Sequence, residues 1–119
     1  MNFECKDLEA LNFFSNEHTL ISSSLTQINI YEEDYKLIVE LTFKLLYAKK
    51  KNIVKIKFIE VKEFSFDHDS SYYFYNISNL KLYTNDGFYY ISLDPDETIA
   101  MRSPDDNYLV LSRSIEVYT

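Results

Sequence analysis

Between Val39 and Tyr47 every second residue is apolar. Val39, Leu41, Phe43, Leu45 and Tyr47 fall on one side, and Glu40, Thr42 and Lys44 on the other. A period of two is the mark of a half-buried strand, because successive side chains of an extended backbone point to opposite faces. The same alternation returns after Ala48–Asn52, with Val54, Ile56 and Phe58 inward and Lys55 and Lys57 outward. Two such runs joined by a short lysine-rich link read as an antiparallel hairpin. Beyond Phe58 the parity slips, since Ile59 and Val61 are apolar while Glu60 and Lys62 are polar. A β-bulge near 58–60, which sets two residues against one, accounts for that slip.

The rest of the chain follows the same grammar. Leu25–Tyr31 alternates with Ile28 and Ile30 inward, and Glu32, Glu33 and Asp34 make the turn. Phe64 and Phe66 end the strand that follows the lysine link, and a polar DHDSS loop leads to the aromatic cluster Tyr72, Tyr73, Phe74, Tyr75. Leu80–Tyr83 and Phe88–Leu93 are joined through Asn85, Asp86 and Gly87, where Asp-Gly supplies the positive φ of a tight hairpin turn. Asp94–Asn107 reads as an acidic loop, and Ser103, Pro104, Asp105, Asp106 has the form of a single helical turn with an N-cap serine. Tyr108–Tyr118 closes the chain as a strand, with Leu109, Leu111, Ile115 and Val117 on one parity. Only the start is helical in pattern, with Leu8, Leu11 and Phe14 following Asp7 as N-cap or first-turn acid. The expected fold is mainly β: a single antiparallel sheet, partly rolled or sandwich-like, of about six strands with one short N-terminal helix, in one domain spanning 1–119.

Composition removes most motif-bearing functions. The chain has one glycine, so no glycine-built phosphate loop and no GxSxG nucleophile elbow can be written. Its one cysteine, Cys5, forms no internal disulfide and makes no zinc finger. No run of about 18 apolar residues occurs. The start lacks a basic segment followed by an apolar one, so a cytoplasmic protein is expected. A net charge of −7 argues against nucleic acid and anionic membrane as partners. That charge is segregated: Lys36–Lys62 carries eight lysines against Glu40 and Glu60, whereas 63–119 carries three basic and ten acidic residues. The lysine block reads either as a solvated hairpin whose charges guard sheet edges or as a patch that docks against a counter-patch.

Four groups of residues invite chemistry. His68 lies between Asp67 and Asp69, but an EF-hand begun at Asp67 would place Tyr72 at its glycine position and Ser78 at its bidentate glutamate. His18 precedes the first long strand and is a candidate polar group of a pocket, as is His68. Asp94, Asp96, Glu97, Asp105 and Asp106 make an acidic surface, and Tyr72, Tyr73 and Tyr75 supply large, stiff contact area of the kind enriched in interfaces. No catalytic, cofactor-binding or metal-ligating set emerges, and no cofactor is expected.

The succession of His18, Ile28 and Ile30, then LIVELTF (37–43), IVKIKFIEVKEFSF (53–66) and DGFYYISLDP (86–95), resembles a group of small, mostly uncharacterised bacterial β-rich domains. Some of their relatives are predicted immunity proteins of polymorphic toxin systems. Those relatives enter the first strand with His followed by Asp, where this chain has Thr19 after His18. The resemblance implies a β-rich cytosolic domain that is not an enzyme and acts by binding another protein. The expected function is therefore a non-enzymatic protein-binding domain, an immunity-like inhibitor that meets a basic partner such as a nuclease toxin through its acidic surface. The alternative is a small-ligand-binding β-domain with a pocket lined by Tyr72–Tyr75, Tyr89 and Tyr90. A homo-oligomer joined through open sheet edges is compatible with either.

Overall fold

A computed structural model describes residues 1–70 and 76–119. It contains β1 (Phe3–Lys6), α1 (Leu8–Phe13), β2 (Ser24–Glu33), β3 (Lys36–Lys44), β4 (Ile53–Ser65), β5 (Lys81–Asn85), β6 (Phe88–Asp94) and β7 (Asn107–Tyr118). The strands form one open antiparallel sheet in the order β2-β3-β4-β7-β6-β5. Strand β7 pairs with β4 along nearly its whole length, from Leu109 opposite Ser65 to Tyr118 opposite Lys55. Its other edge is shared end to end, by β6 over Asn107–Ser112 and by β1 over Glu116–Tyr118. Four residues with no clear alternation gave β1 no signal in the sequence.

One face of the sheet carries the main core. Val39, Leu41 and Phe43 of β3, Val54, Ile56 and Phe58 of β4, and Ile115 and Val117 of β7 are completely buried there. Ala10, Phe14, Leu20, Leu45, Ala48 and Ile77 cover that layer from α1 and the connecting segments. Asp7 does not cap α1 through its side chain. Its carboxylate instead accepts from the Ser114 hydroxyl at 2.7 Å and the Ile115 N–H at 3.1 Å, which ties the helix start to β7. Leu8 points to solvent, and the helix buries Ala10 instead. Ile30 is 45% exposed rather than inward, because β2 is the outermost strand at this end of the sheet. Tyr47 is exposed too, since β3 ends at Lys44 and the alternation there no longer describes a strand.

The parity slip past Phe58 is a backbone feature. Glu60 has φ 57°, and the β4–β7 register shifts between Val61 and Glu63. Its partner strand changes parity at the same level. Ile115 and Val117 face the main core, but after Ser114 it is Ser112, opposite Val61, and then Val110 that continue this face. Leu109 and Leu111 therefore turn to the other face, against the single parity expected for this strand. The β5–β6–β7 end of the sheet thus buries side chains on both sides, with Ile91 and Leu93 in the main core and Tyr90 and Leu109 opposite. The connection between β6 and β7 crosses that second face.

Two hairpins close through residues with positive φ. Asp86 (φ 53°) and Gly87 (φ 78°) join β5 to β6, as the Asp-Gly signal required. Strand β2 runs on through Glu33, so the next turn consists of Asp34 (φ 52°) and Tyr35 (φ 64°) rather than the acidic triplet. A tyrosine in the left-handed region costs roughly 1–2 kcal/mol, and this one is 97% exposed. Tyr35→Gly should therefore raise stability by about 1 kcal/mol and the midpoint of thermal unfolding by about 4 °C. Scanning calorimetry checks this, and an unchanged or lowered midpoint would contradict it.

Candidate functional site

The end of β6 and the β6–β7 connection hold the acidic residues singled out from the sequence, and the fold separates them. Asp106 is interior. Its Oδ1 accepts from the Lys81 ammonium at 2.8 Å and the Asp96 N–H at 2.8 Å. Its Oδ2 accepts from the Tyr90 hydroxyl at 2.6 Å and the Ser103 N–H at 3.1 Å. Lys81 is buried as well and donates a further bond to the Met101 carbonyl at 2.7 Å. Burial alone would raise the Asp106 pKa, but the hydrogen bonds from Lys81, Tyr90 and the two backbone N–H groups outweigh it and hold the carboxyl at about 2. Burial, and then the bond to that carboxylate, raises the Tyr90 phenol. Asp106 therefore leaves the candidate interaction surface and becomes the clamp of the connection. Ser103–Asp106 closes as a turn, with the Asp106 N–H on the Ser103 carbonyl at 3.1 Å, and does not continue as a helix.

Asp96 is satisfied locally. It accepts from the Thr98 hydroxyl at 2.7 Å, the Thr98 N–H at 3.0 Å and the Ser103 hydroxyl at 2.8 Å, and these bonds lower its pKa. Asp94, Glu97 and Asp105 are exposed and make no ion pair or side-chain hydrogen bond among the described residues. Asp94 ends β6, and Glu97 and Asp105 lie on the connection that Asp106 pins; we call the three the carboxylate ledge.

Arg102 fastens the same connection sideways. Its N–H donates to the Tyr83 hydroxyl at 2.9 Å, its guanidinium bonds Glu63, and Cζ lies 5.4 Å from the Tyr90 ring centroid. The Glu63 contact lowers the Glu63 pKa and raises that of Arg102. Beside it opens a hollow of about 280 Å³ that includes Tyr83, Phe88, Tyr90 and Leu111.

The other candidates lie elsewhere. Tyr72, Tyr73 and Tyr75 fall outside the described residues. Tyr89 belongs to the main core, so it does not share a pocket with Tyr90. His18 stacks on Phe13 with ring centroids 4.3 Å apart and has Nε2 3.3 Å from the Lys50 carbonyl. His68 sits edge-on to Tyr108 at 6.5 Å. Neither histidine lines the hollow. Among the described residues, no three His, Cys, Asp or Glu side chains gather as a metal site.

Four of the eight lysines of the Lys36–Lys62 block are paired with acids. Lys51 pairs with Glu4 at 2.9 Å, Lys55 with Glu40 at 3.3 Å, Lys57 with Glu33 at 2.9 Å and Lys36 with Glu60 at 3.9 Å. Such pairs add little stability individually, and among the described residues Lys44, Lys49, Lys50 and Lys62 of the same block make no ion pair. Lys81 escaped the sequence reading. The available signal was a lone lysine between Leu80 and Leu82 in an otherwise acid-rich stretch. Among the described residues no helix is long and apolar enough to cross a membrane. Comparison with family models, with curated proteins and with solved structures returned no match.

Proposed function

We propose that this protein is a non-enzymatic binding domain that recognises a basic protein partner through the ledge of Asp94, Glu97 and Asp105. The observation that carries this reading is the contrast within one connection. The buried Lys81–Asp106–Tyr90 cluster pins the backbone, while Asp94, Glu97 and Asp105 stand exposed and, among the described residues, unpaired. Charges already fixed in place lose little freedom on docking, and a single-sign ledge speeds encounter with an oppositely charged surface. Together with the sequence resemblance, this favours an immunity-like role against a basic toxin, exercised in the cytoplasm of a bacterium.

Charge reversal tests it. The wild-type chain is immobilised, the proteins it captures from native lysate are identified, and the basic one among them is purified for titration. The variant Asp94→Lys, Glu97→Lys, Asp105→Lys retains Asp106 and so retains the clamp. It should bind that partner at least about tenfold more weakly. Equal affinity, or capture of neutral and acidic proteins only, would rule the ledge out.

A further inference from the structure

The outer strands of the sheet, β2 and β5, differ in how they are guarded against pairing with other chains. Strand β5 is short and draws the charge of Lys81 inward to Asp106, and both features blunt an edge. Strand β2 is twice as long and contains no lysine, proline or glycine. Most of it falls within residues 19–31, the longest stretch of the sequence without Asp, Glu, Lys or Arg. Past the register shift between Leu25 and Gln27 it runs unbroken, from Gln27 opposite Thr42 to Glu33 opposite Lys36. The turn fixes which backbone groups face the free edge. Asp34 and Tyr35, both with positive φ, make a two-residue hairpin turn, so the flanking pair Glu33 and Lys36 is hydrogen-bonded. Pairs then alternate: Tyr31, Asn29 and Gln27 bond β3, while the N–H and C=O groups of Glu32, Ile30 and Ile28 point outward. Ile28 and Ile30, opposite Leu41 and Val39, carry the main-core face out to this edge, where Ile30 is 45% exposed.

We infer that β2 pairs antiparallel with β2 of a second copy of this chain, about a two-fold axis at Ile30. Three features select that occupant. First, the unbroken stretch 27–33 is centred on Ile30, so a two-fold there aligns its full length. Each outward N–H then meets an outward carbonyl, with Ile30 of one copy facing Ile30 of the other and Ile28 facing Glu32. Second, the same axis sets Gln27 opposite Glu33 and Asn29 opposite Tyr31, so no two like charges oppose one another. A parallel alignment in register would bring Glu32 and Glu33 of the copies together. Third, a two-fold normal to the sheet keeps both main-core faces on one side. The row of Val39 and Ile30 in one copy continues into Ile30 and Val39 of the other, and each exposed Ile30 is covered by its counterpart. Because both copies use the same edge, the assembly closes as a dimer and does not grow into a fibre. Strand β2 lies across the sheet from β6, so the carboxylate ledges stay clear of this interface and the inference is independent of them.

Light scattering of the full chain at about 1 mM should give a mass approaching twice 14.2 kDa. Ile30→Lys sets two ammonium groups face to face at the axis, on a side chain that the single copy leaves 45% exposed. It should stay folded by circular dichroism and weaken association at least about tenfold. Hydrogen exchange followed by NMR at the same concentration reads the register. The Ile28 and Glu32 N–H groups, which β3 does not bond, should exchange at least about threefold more slowly in the wild type than in Ile30→Lys. A mass that stays at 14.2 kDa leaves the edge to water or to a strand of another protein, and overturns the inference. So does a mass that climbs past the dimer, or a dimer of unchanged affinity in Ile30→Lys. A dimer whose Ile28 and Glu32 amides exchange as freely as in that variant is built on another surface and overturns it too.

Discussion

Asp106→Ala is expected to cost about 3–5 kcal/mol of folding stability, a large share of the roughly 5–15 kcal/mol that a small domain possesses. The carboxylate receives four donors from four different residues. Its loss leaves the Lys81 ammonium buried with only the Met101 carbonyl, and the Tyr90 hydroxyl without its acceptor. An uncompensated buried charge is what makes such deletions expensive; the intact pair itself need contribute little. The double change Asp106→Leu, Lys81→Met should therefore recover much of the loss. By contrast, alanine at exposed Asp94, Glu97 or Asp105 should shift stability by no more than about 0.5 kcal/mol each. Urea unfolding followed by circular dichroism measures all of these. A loss below about 1 kcal/mol for Asp106→Ala would mean that the cluster does not clamp the connection.

Acid should destabilise the protein through the same group. The folded Asp106 carboxyl is held at about 2, below the ordinary aspartate value of 3.8. A depressed carboxyl stabilises the fold fully above its unfolded pKa and loses that contribution as pH falls through the folded value. Between pH about 4 and 2 the loss should reach on the order of 2 kcal/mol from this residue. Glu63 and Asp96, both lowered by their hydrogen bonds, act in the same direction. Tyr90 acts at the other limit: its raised phenol stabilises below pH about 10, and that contribution is lost as pH rises further. The expected profile of unfolding free energy is a plateau near neutrality that falls on both sides. In Asp106→Asn the acid slope should be shallower by the Asp106 share. Parallel acid limbs for the variant and the wild type would contradict the assignment.

Much of the sheet was legible because its signals are local. The alternation of Val39–Phe43 and Val54–Phe58 marks the face that β3 and β4 bury, and the slip beyond Phe58 marks the irregularity at Glu60. Asp86-Gly87 marks its hairpin for the same reason, since the required φ is a property of those residues alone. Legibility ended where a position depends on distant chain. Leu109 and Leu111 share spacing with Ile115 and Val117, yet the parity change at the level of Glu60 puts them on opposite faces. Asp105 and Asp106 are neighbours of one type, and only contacts with Lys81 and Tyr90, 25 and 16 residues away, make one interior and the other exposed. The hollow beside Arg102 is harder still, because Lys62, Tyr83 and Arg102 come from three separated segments and come together only through the sheet.

The proposed function divides the labour: Asp106 holds the β6–β7 connection, and Asp94, Glu97 and Asp105 would meet the partner. The most direct measurement is the partner affinity of the triple lysine variant at low and physiological salt, with its unfolding midpoint determined on the same preparation. The account predicts a midpoint close to that of the wild type, an affinity at least about tenfold weaker, and a loss of the salt dependence that an acidic ledge imposes on binding to a basic surface. A folded variant that binds as tightly as the wild type, with the same response to salt, would contradict it.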